Sequence, residues 1–408
     1  MKKISCIFLN SIFLTLTVLG QVVKSYSTTK EIQKLVDNET NLYEIQNYAV
    51  LFSKIGNYKK SILTHQLFIE KNKAAYNDPG KPKADSLNFL NYKPQNAINF
   101  IAKAAEKYNV VITNEAHYQP QNRVFTTLLL EKLFKQGFRY LCVEDLSIDD
   151  TVYKSKEDKE LNTRKYPLRT SGFYIDEPQY GNLVRKALKL GYTLIAYEHT
   201  ASEVKDPGER WLARENGQAR NIAEIILKDP KAKVLVHCGY GHLNEYIKDS
   251  SGLMAAMLKL NFKIDPLTID QEDLLEEKND SYYKWTNIKE PSVYVSPKNI
   301  FSDPFKNHKV DVVVFFPKTK YINGRPNWLT YDKEKKCFFA NLNSINLNYP
   351  IMISAFCKGE DISIAVPSDI IEIEKPNEKI GLMLSTGIYT LQIKDSTGKV
   401  TLQTIEVK

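Results

Sequence analysis

The sequence contains little cysteine and histidine and, after its first twenty residues, no long apolar run. Its 408 residues include five cysteines and six histidines. No two cysteines stand in a C-x-x-C arrangement, which excludes the usual spacing of zinc ribbons and of thioredoxin-like redox motifs. No segment beyond the first twenty residues is long and apolar enough to span a bilayer. We therefore expect no cysteine-based metal site and no transmembrane segment in the mature chain.

Two further motifs are absent. The net charge of +8 comes from lysines and arginines interleaved with acids, and no arginine-rich stripe is present, so we expect no nucleic-acid partner. The G-x-S-x-G turn that presents a serine nucleophile is also missing. The composition, 43% hydrophobic and 25% charged, is that of a folded globular protein.

The first twenty residues resemble a signal peptide. Lys2 and Lys3 precede an apolar run from Ile4 to Leu19, and small residues follow around Gly20. This pattern predicts export to the periplasm or medium, with residues 1–20 removed. Cys6 lies too early to be a lipid-anchor site, so no lipobox is present. An oxidising compartment permits disulfides, but burial as small hydrophobes is equally open for Cys142, Cys238, Cys337 and Cys357.

Beyond the signal peptide the sequence divides into three parts, consistent with its length. Residues 29–85 predict a helical segment containing a hairpin of the tetratricopeptide type, followed by the linker "NDPGKPKAD". Residues 90–285 alternate helices with continuous apolar strands. That pattern is typical of an α/β domain with a largely parallel sheet and helices on both faces. Residues 290–408 contain short β-type segments between turns, which predict a small antiparallel β-sandwich.

Acids and histidines follow the predicted parallel strands. The first strand ends in Glu115 and His117, the second in Glu144 and the third in Glu198, and the fourth runs through "CGYGH" to His242. Ligands of open parallel sheets bind outside the carboxyl ends of the strands. We therefore expect these side chains, with Tyr240, to share one rim.

Arginines near two predicted helix starts add positive charge to this rim. Arg123 follows Pro120, which suits a first helical turn. The segment "DPGERWLAR" predicts another start, with Arg210 and Arg214 four residues apart on one face. Carboxylates, imidazoles and a positive wall suit acid/base catalysis with stabilisation of negative charge. The alternatives are that Glu144 is only part of a buried ion pair and that His237 is only a core histidine.

Two stretches carry a family resemblance. The segments "ITNEAHYQPQNRVFTTLLLEKLFKQGFRYLCVE" and "CGYGH" resemble the superfamily that unites erythromycin esterases, ChaN-type haem-uptake proteins and TIKI/TraB proteases, most nearly its secreted Bacteroidetes members. Its Glu…His, Glu and Gly-x-x-His positions are matched by Glu115 and His117, Glu144 and His242. "RENGQARNI" resembles the helix before the last of these strands, matching Arg214 and Glu215. Asn114 replaces the usual Gly, and one residue rather than two separates Glu115 from His117, which argues against macrolide specificity.

These observations predict an exported hydrolase that attacks an ester or amide of a small molecule or peptide with activated water. His117 is the expected base, oriented by Glu115 or Glu144, and His242 assists the leaving group. Arg123 and Arg214 are expected to stabilise the oxyanion. The remaining predicted substrate-binding residues are Arg210, Tyr240 and Glu198.

Other functions stay open. Glu115, His117, Glu144 and His242 are ligand types for a divalent metal such as Zn or Mn, although no spacing is diagnostic. The resemblance to haem-uptake proteins implies an alternative: haem or a metal chelate bound without catalysis, with Tyr118, Tyr240, His117 and His242 as the candidate iron ligands. In a third reading the α/β unit is an inactive scaffold and the sandwich binds glycan or protein.

The insert from Ser147 to Tyr180 is too long for an ordinary α/β connection. It leaves the second strand at the rim and is rich in aromatic residues. We expect it to form a lid over the site, with Arg164 or Arg169 facing substrate.

Overall fold

The computed structural model describes residues 26–72, 91–276, 283, 286–301, 308–343 and 345–408. The predicted signal peptide, and the predicted linker at residues 77–85, lie outside these residues.

A six-stranded sheet forms the centre of the α/β unit. Its strand order is β4-β3-β5-β2-β6-β8, and every neighbouring pair is parallel. In the register of the two central strands, Thr113 lies opposite His237 and Glu115 opposite Gly239. The strands are β2 (Val110–Glu115), β3 (Phe138–Val143), β4 (Thr193–Ala196), β5 (Lys233–Gly239), β6 (Leu267–Asp270) and β8 (Val312–Val313). A separate antiparallel pair joins β1 (Lys93–Asn96) to β7 (Ser292–Val295).

Helices cover both faces of the sheet, as the apolar strands predict. Val111 and Leu235 pack with the helices of one face, whereas their neighbours Ile112 and Val236 pack with the helices of the other. The first face carries α4 (Ala97–Ala105), α5 (Gln121–Lys135) and α7 (Pro178–Leu190). The second carries α8 (Pro207–Lys228) and α9 (Met254–Phe262). A short helix, α6 (Leu161–Arg164), lies in the insert. The predicted fold class is confirmed.

The amino-terminal helices form a hairpin that packs on the rest of the molecule. They are α1 (Thr29–Asn38), α2 (Glu44–Lys54) and α3 (Tyr58–Lys71). Gly56, in the turn between the last two, has φ +71°, and a Cβ there would lie 2.0 Å from the carbonyl oxygen of Ile370. Ser61 donates a hydrogen bond to the carbonyl of Tyr118. The hairpin thus contacts both the carboxyl-terminal sheet and the loop after β2.

Two antiparallel sheets at the carboxyl terminus enclose one small core. The four-stranded sheet has the order β13-β12-β15-β16, and β11 pairs with β14. Ile353, Leu384 and Leu391 are among the residues buried between them. The strands are β11 (Lys335–Phe338), β12 (Ile351–Cys357), β13 (Asp369–Ile373), β14 (Leu382–Ser385), β15 (Gly387–Lys394) and β16 (Val400–Val407). A two-stranded hairpin, β9 (Tyr321–Ile322) and β10 (Arg325–Pro326), precedes them. The parallel sheet takes β8 from beyond residue 290, where the sequence predicts the sandwich.

The cysteines within the described residues are free thiols. Cys142 in β3 and Cys238 in β5 are buried, which agrees with their interpretation as small hydrophobes. Cys337 is exposed and Cys357 half-buried.

The described residues contain no helix with the length and apolar character needed to cross a bilayer.

Candidate functional site

Glu115 is the centre of a buried charge network at the end of β2. Its Oε1 lies 2.9 Å from His117 Nδ1 and 2.7 Å from Arg123 Nη2. Its Oε2 lies 2.6 Å from Arg123 Nε and 2.9 Å from His237 Nε2. Both carboxylate oxygens are thus fully engaged. His237 is fully buried and hydrogen-bonded at both ring nitrogens, which is the alternative stated for it, a satisfied core histidine.

The network keeps Glu115 ionised. Burial on its own would raise the pKa of Glu115, but the guanidinium of Arg123 and hydrogen bonds from both histidines hold it well below its usual value. Arg123 is completely buried and also donates to Glu177 Oε2 at 3.0 Å. Arg123 therefore lies beneath Glu115 and fixes it, rather than facing open space as an oxyanion donor.

His117 projects from this network into the site. Because its Nδ1 is held by Glu115, Nε2 is the nitrogen that faces the end of β5. Its ring stacks on Tyr174, with ring centroids 3.8 Å apart and planes 12° apart. Tyr240 meets the same ring edge-on at 4.7 Å. The imidazole is therefore fixed in position by its hydrogen bond with Glu115 and by two aromatic rings.

A second network surrounds Arg214 on α8. Its Nη2 donates to Glu144 Oε1 at 2.7 Å, and its Nε donates to Glu198 Oε1 at 3.0 Å. Its Nη1 lies 3.0 Å from His242 Nε2. Glu198 also accepts a hydrogen bond from Gln218 and is buried, so its carboxylate holds Arg214 in place. The buried ion pair between Glu144 and Arg214 that we left open is present.

His242 is held between two carboxylates. Its Nδ1 lies 2.9 Å from Glu215 Oε2, and its Nε2 lies 3.4 Å from Glu144 Oε1. Burial would lower the pKa of His242, but Glu215 and Glu144 outweigh that effect and raise it to about 10. The pKa of Glu144 is lowered, since His242 and Arg214 overcome the effect of its burial. Arg214 opposes this rise in the pKa of His242, because its Nη1 can only donate towards Nε2, so the two carboxylates outweigh both burial and Arg214.

Gly239 brings the two networks together. Its N–H donates to Glu144 Oε2. A Cβ at this position would lie 2.4 Å from Cε1 and 2.7 Å from Nε2 of His117, and 3.3 Å from Glu144 Oε2. The imidazole of His117 and the carboxylate of Glu144 thus approach the same residue, and a side chain at Gly239 would clash with the His117 ring.

The structure places the remaining predicted residue, Arg210, away from these networks. Its Nε donates to the carbonyl of Val204 at 2.6 Å, and its Nη2 lies 3.3 Å from the carbonyl of Lys205. One helical turn separates it from Arg214, so it stands beside the loop before α8 and bonds the nearest carbonyls there. Its placement among the substrate-binding residues is not supported.

Several residues of the site lack a sequence signal of their own. Glu177 caps α7 and accepts from Arg123, and the only hint was a Glu-Pro pair at a helix start. Asp145, by contrast, ends the second predicted strand together with Glu144 and so shares its sequence signal. It accepts from the Ile175 N–H at 2.6 Å, and burial raises its pKa to about 7. Tyr174, which stacks on His117, was one of many aromatic residues in the insert.

The insert covers the site but is fastened on two sides. Tyr26 donates to Asp176 at 2.6 Å and Tyr58 donates to Glu177 at 3.0 Å, which ties it to the amino-terminal segment. On the other side it forms a β-bridge between Leu168 and Ala365. It thus packs an aromatic residue over His117 as predicted, but as a fixed layer.

Arg164 and Arg169, which were predicted to face substrate, both form ion pairs within the insert. Arg164 pairs with Asp158, and Arg169 pairs with Asp176 at 2.7 Å. Both aspartates belong to the insert itself and lie close to the arginines along the chain, so these local carboxylates neutralise the two guanidinium groups.

Metal-ligand types converge elsewhere on the rim. Among the described residues, ligand atoms of Asp270, Asp273 and His308 lie within 4.8 Å of one another. Glu115, His117, Glu144 and His242, the predicted metal ligands, form no such group among the described residues. Of the tyrosines considered as haem ligands, Tyr118 is 1% exposed and stacks on His65 at 3.6 Å, so it does not face the site.

Comparisons with known proteins give only distant structural likenesses. No family model and no curated protein matches the chain. A solved structure of the type III effector HopBA1 is 15% identical with a TM-score of 0.34, covering 56% of this chain and 98% of that one. The RRSP effector domain of a MARTX toxin from Vibrio vulnificus CMCP6 is 13% identical with a TM-score of 0.30, covering 62% and 49%.

The carboxyl-terminal region of Pasteurella multocida toxin, described as having a thiol-protease-like catalytic triad, is 11% identical with a TM-score of 0.31, covering 84% and 51%. The chain thus spans about half the length of these two toxin structures. At these identities and TM-scores the likenesses assign no function.

Proposed function

We propose that the protein hydrolyses an ester or amide with water activated by His117. The observation that carries this proposal is the pairing of His117 Nδ1 with the buried carboxylate of Glu115 at 2.9 Å. A carboxylate on one nitrogen orients the ring and stabilises the imidazolium that forms when the other nitrogen takes a proton. Nε2 of His117 lies beside Gly239, the residue whose N–H is bonded by Glu144, and is the ring nitrogen left to take a proton.

The reaction then uses both halves of the site. Nε2 of His117 takes a proton from water as the water oxygen attacks the carbonyl carbon. Negative charge develops on the former carbonyl oxygen, and the cations Arg214 and His242 offset it. Glu215 and Glu144 raise the pKa of His242 to about 10, which favours the imidazolium form that would donate a proton to the leaving alcohol or amine.

Arg123 and Glu198 do not contact substrate in this mechanism but act through other residues. Arg123 fixes Glu115, which in turn orients His117, and Glu198 fixes Arg214. Both are positioning residues in this mechanism. Tyr174 and Tyr240 form the aromatic walls around His117 and limit the orientations that a substrate can adopt.

The test is a panel of aryl esters and short peptides, assayed before and after dialysis against a chelator. We expect His117→Ala and His242→Ala each to reduce activity by at least about a hundredfold, with the circular dichroism spectrum intact. Arg214→Ala should also be impaired, while Arg210→Ala, a matched change outside the networks, should be near normal. Folded His117 and His242 variants with unaltered rates would refute the proposed mechanism. Loss of activity on chelation would establish a metal requirement.

We further propose membership in the superfamily of erythromycin esterases, ChaN-type and TIKI/TraB proteins, and export from the cytoplasm. Membership is supported by the position of Glu115, His117, Glu144 and His242 at one rim of a parallel sheet. Export is supported by the sequence pattern of residues 1–20. Amino-terminal sequencing of the mature protein is expected to begin near residue 21; an intact Met1 in the purified natural protein would contradict cleavage.

A further inference from the structure

A cavity lies between the α/β unit and the carboxyl-terminal sheets, apart from the candidate functional site. Its volume is about 480 Å³, within the range of roughly 300–1,000 Å³ that holds small ligands. Its walls come from α5, α7, the start of β11 and the turn between β14 and β15. It shares no lining residue with the two charge networks of the candidate site, so it is a separate place for a ligand.

Positive charge predominates around this cavity. Five of its lining side chains are cationic, whereas two are carboxylates. The carboxylates are Asp332 and Glu334. The cations are Arg185, Lys186, Lys189, Lys335 and Lys358.

Protein carboxylates account for only part of this excess. Glu360 pairs with Arg185 through both oxygens, at 2.6 and 2.7 Å. Lys186 lies 3.8 Å from Glu334. Within the described part of the chain, the other three lysines of the cavity make no ion pair. The cavity therefore keeps cations available to an anion from solution.

Lys335 is the lysine that the protein positions most firmly. Its Nζ donates to Gln179 Oε1 at 2.6 Å. Gln179 is itself fixed, since its Nε2 donates to the hydroxyl of Tyr58 at 3.1 Å. Lys335 is half-buried, and its ammonium group bonds a neutral amide while the carboxylates of Asp369, Asp332 and Glu177 act on it only from beyond ion-pair distance, so an anion in the cavity would supply the direct charged partner that it lacks. Burial correspondingly lowers the pKa of Lys335.

Part of the cavity wall is apolar. Val124, Met383, Leu384 and Tyr389 line it along with the charged groups. These four side chains are only 1–5% exposed, so they present a small, closely packed apolar surface to the cavity. An anionic group attached to an apolar body would cover the apolar wall and meet the lysines at once.

We propose that this cavity binds a small organic anion, with its phosphate or carboxylate group at Lys335 and its apolar body against Met383 and Leu384. The site is independent of the proposed hydrolysis, and nothing in its argument depends on His117 or His242.

Calorimetric titration with phenyl phosphate, inorganic phosphate and phenol tests the proposal on the full chain. Phenyl phosphate should bind more tightly than either of the other two, because only it supplies both the charge and the apolar body. Equal binding of phenol and phenyl phosphate would overturn the role of the lysines. Equal binding of inorganic phosphate would overturn the role of the apolar wall.

Substitutions locate the binding. Lys335→Gln should weaken binding of phenyl phosphate by about tenfold or more, whereas Lys333→Gln, an exposed lysine outside the cavity lining, should leave it unchanged. Lys189→Gln, at the exposed mouth, should weaken it severalfold without disturbing the fold, so the test stands even if Lys335→Gln unfolds. Binding that is unaffected in both cavity variants, or equally weakened in Lys333→Gln, would overturn the proposal. A catalytically dead His117→Ala variant should still bind.

Discussion

Gly239 is the residue on which the two halves of the candidate site depend. A methyl group there would lie 2.4 Å from the His117 ring, so Gly239→Ala must displace the imidazole or the strand end. A displacement of about 1 Å at a reacting group can cost about a hundredfold in rate. We therefore expect Gly239→Ala to lose about a hundredfold of the activity on the best substrate of the panel.

Gly241 provides the matched control. A Cβ there would meet only Leu253, at 3.4 Å, which is ordinary contact. Gly241→Ala should therefore keep nearly full activity, and both variants should be compared by initial rates and thermal unfolding. Equal rates in the two variants would contradict the close approach of His117 to β5.

The protonation of His242 sets a pH dependence. Its pKa is raised from 6.5 to about 10, so as a proton donor it is competent until the pH approaches 10. We expect the kcat of the wild-type protein to decline on the alkaline side near pH 10, and His242→Gln to lack that decline at a much lower rate. An alkaline limb in wild type centred near pH 7 would contradict the role of His242.

The same shift affects stability. A folded-state pKa above the unfolded value means that His242 stabilises the fold fully below pH 6.5 and loses this contribution as the pH rises towards 10. Asp145 acts in the same direction at lower pH. Its pKa rises from 3.8 to about 7, so its contribution is full below pH 3.8 and lost as the pH rises to 7. The denaturant midpoint should be measured across pH 4–10. We expect the wild-type midpoint to fall as each group loses its proton, and we expect His242→Gln and Asp145→Asn each to lack the fall caused by the residue that was replaced.

The residues predictable from sequence are those that end strands. Glu115, Glu144 and His242 follow continuous apolar runs, and parallel topology alone brings such ends together. Glu177 and Tyr174 were not predictable as site residues, because they come from an irregular insert whose path depends on tertiary contacts. Helical spacing alone could not predict the contacts of Arg210. The spacing places Arg210 and Arg214 on one face of the helix, but loop carbonyls near Arg210 determine where its guanidinium lies.

At the scale of elements, the insert acts as a fixed aromatic cover. Tyr174 stacks on His117, and such a ring pair is worth about 0.5–1.5 kcal/mol. Tyr174→Ala should therefore lower activity by up to about tenfold, whereas Tyr174→Phe keeps the ring and should be close to wild type. A Tyr174→Phe variant as impaired as Tyr174→Ala would show that the hydroxyl, not the stack, is required.

The fixed state of the insert also depends on the amino-terminal segment. Tyr58 on α3 donates to Glu177, and Glu177 in turn accepts from Arg123.

Long helices and strands were predictable from their periodicity and caps, for example Asp206, which accepts from two N–H groups at the start of α8. Strand β8 was not assigned to the parallel sheet, because its two residues lie in the run "KVDVVVFFP", which reads equally well as a sandwich strand.

At the scale of the whole molecule, the parallel sheet and the carboxyl-terminal sheets are not separable at residue 290. Val313, Val314, Phe315 and Phe316 lie beyond that point and are buried in the cores of the α/β unit. Their burial contributes about 6–12 kcal/mol at about 1.5–3 kcal/mol for each side chain. This is comparable to the total stability of a typical domain, about 5–15 kcal/mol.

A chain ending at residue 290 should therefore fail to fold cooperatively, whereas one ending at residue 317 keeps β8 and both phenylalanines and should retain more of the parallel sheet. Thermal unfolding followed by circular dichroism distinguishes the two, with the full chain as reference. A cooperative transition at the full-length temperature in the shorter chain would contradict the assignment of β8 to the sheet. Activity in the longer chain would place the chemistry in the α/β unit and count against a scaffold role for it.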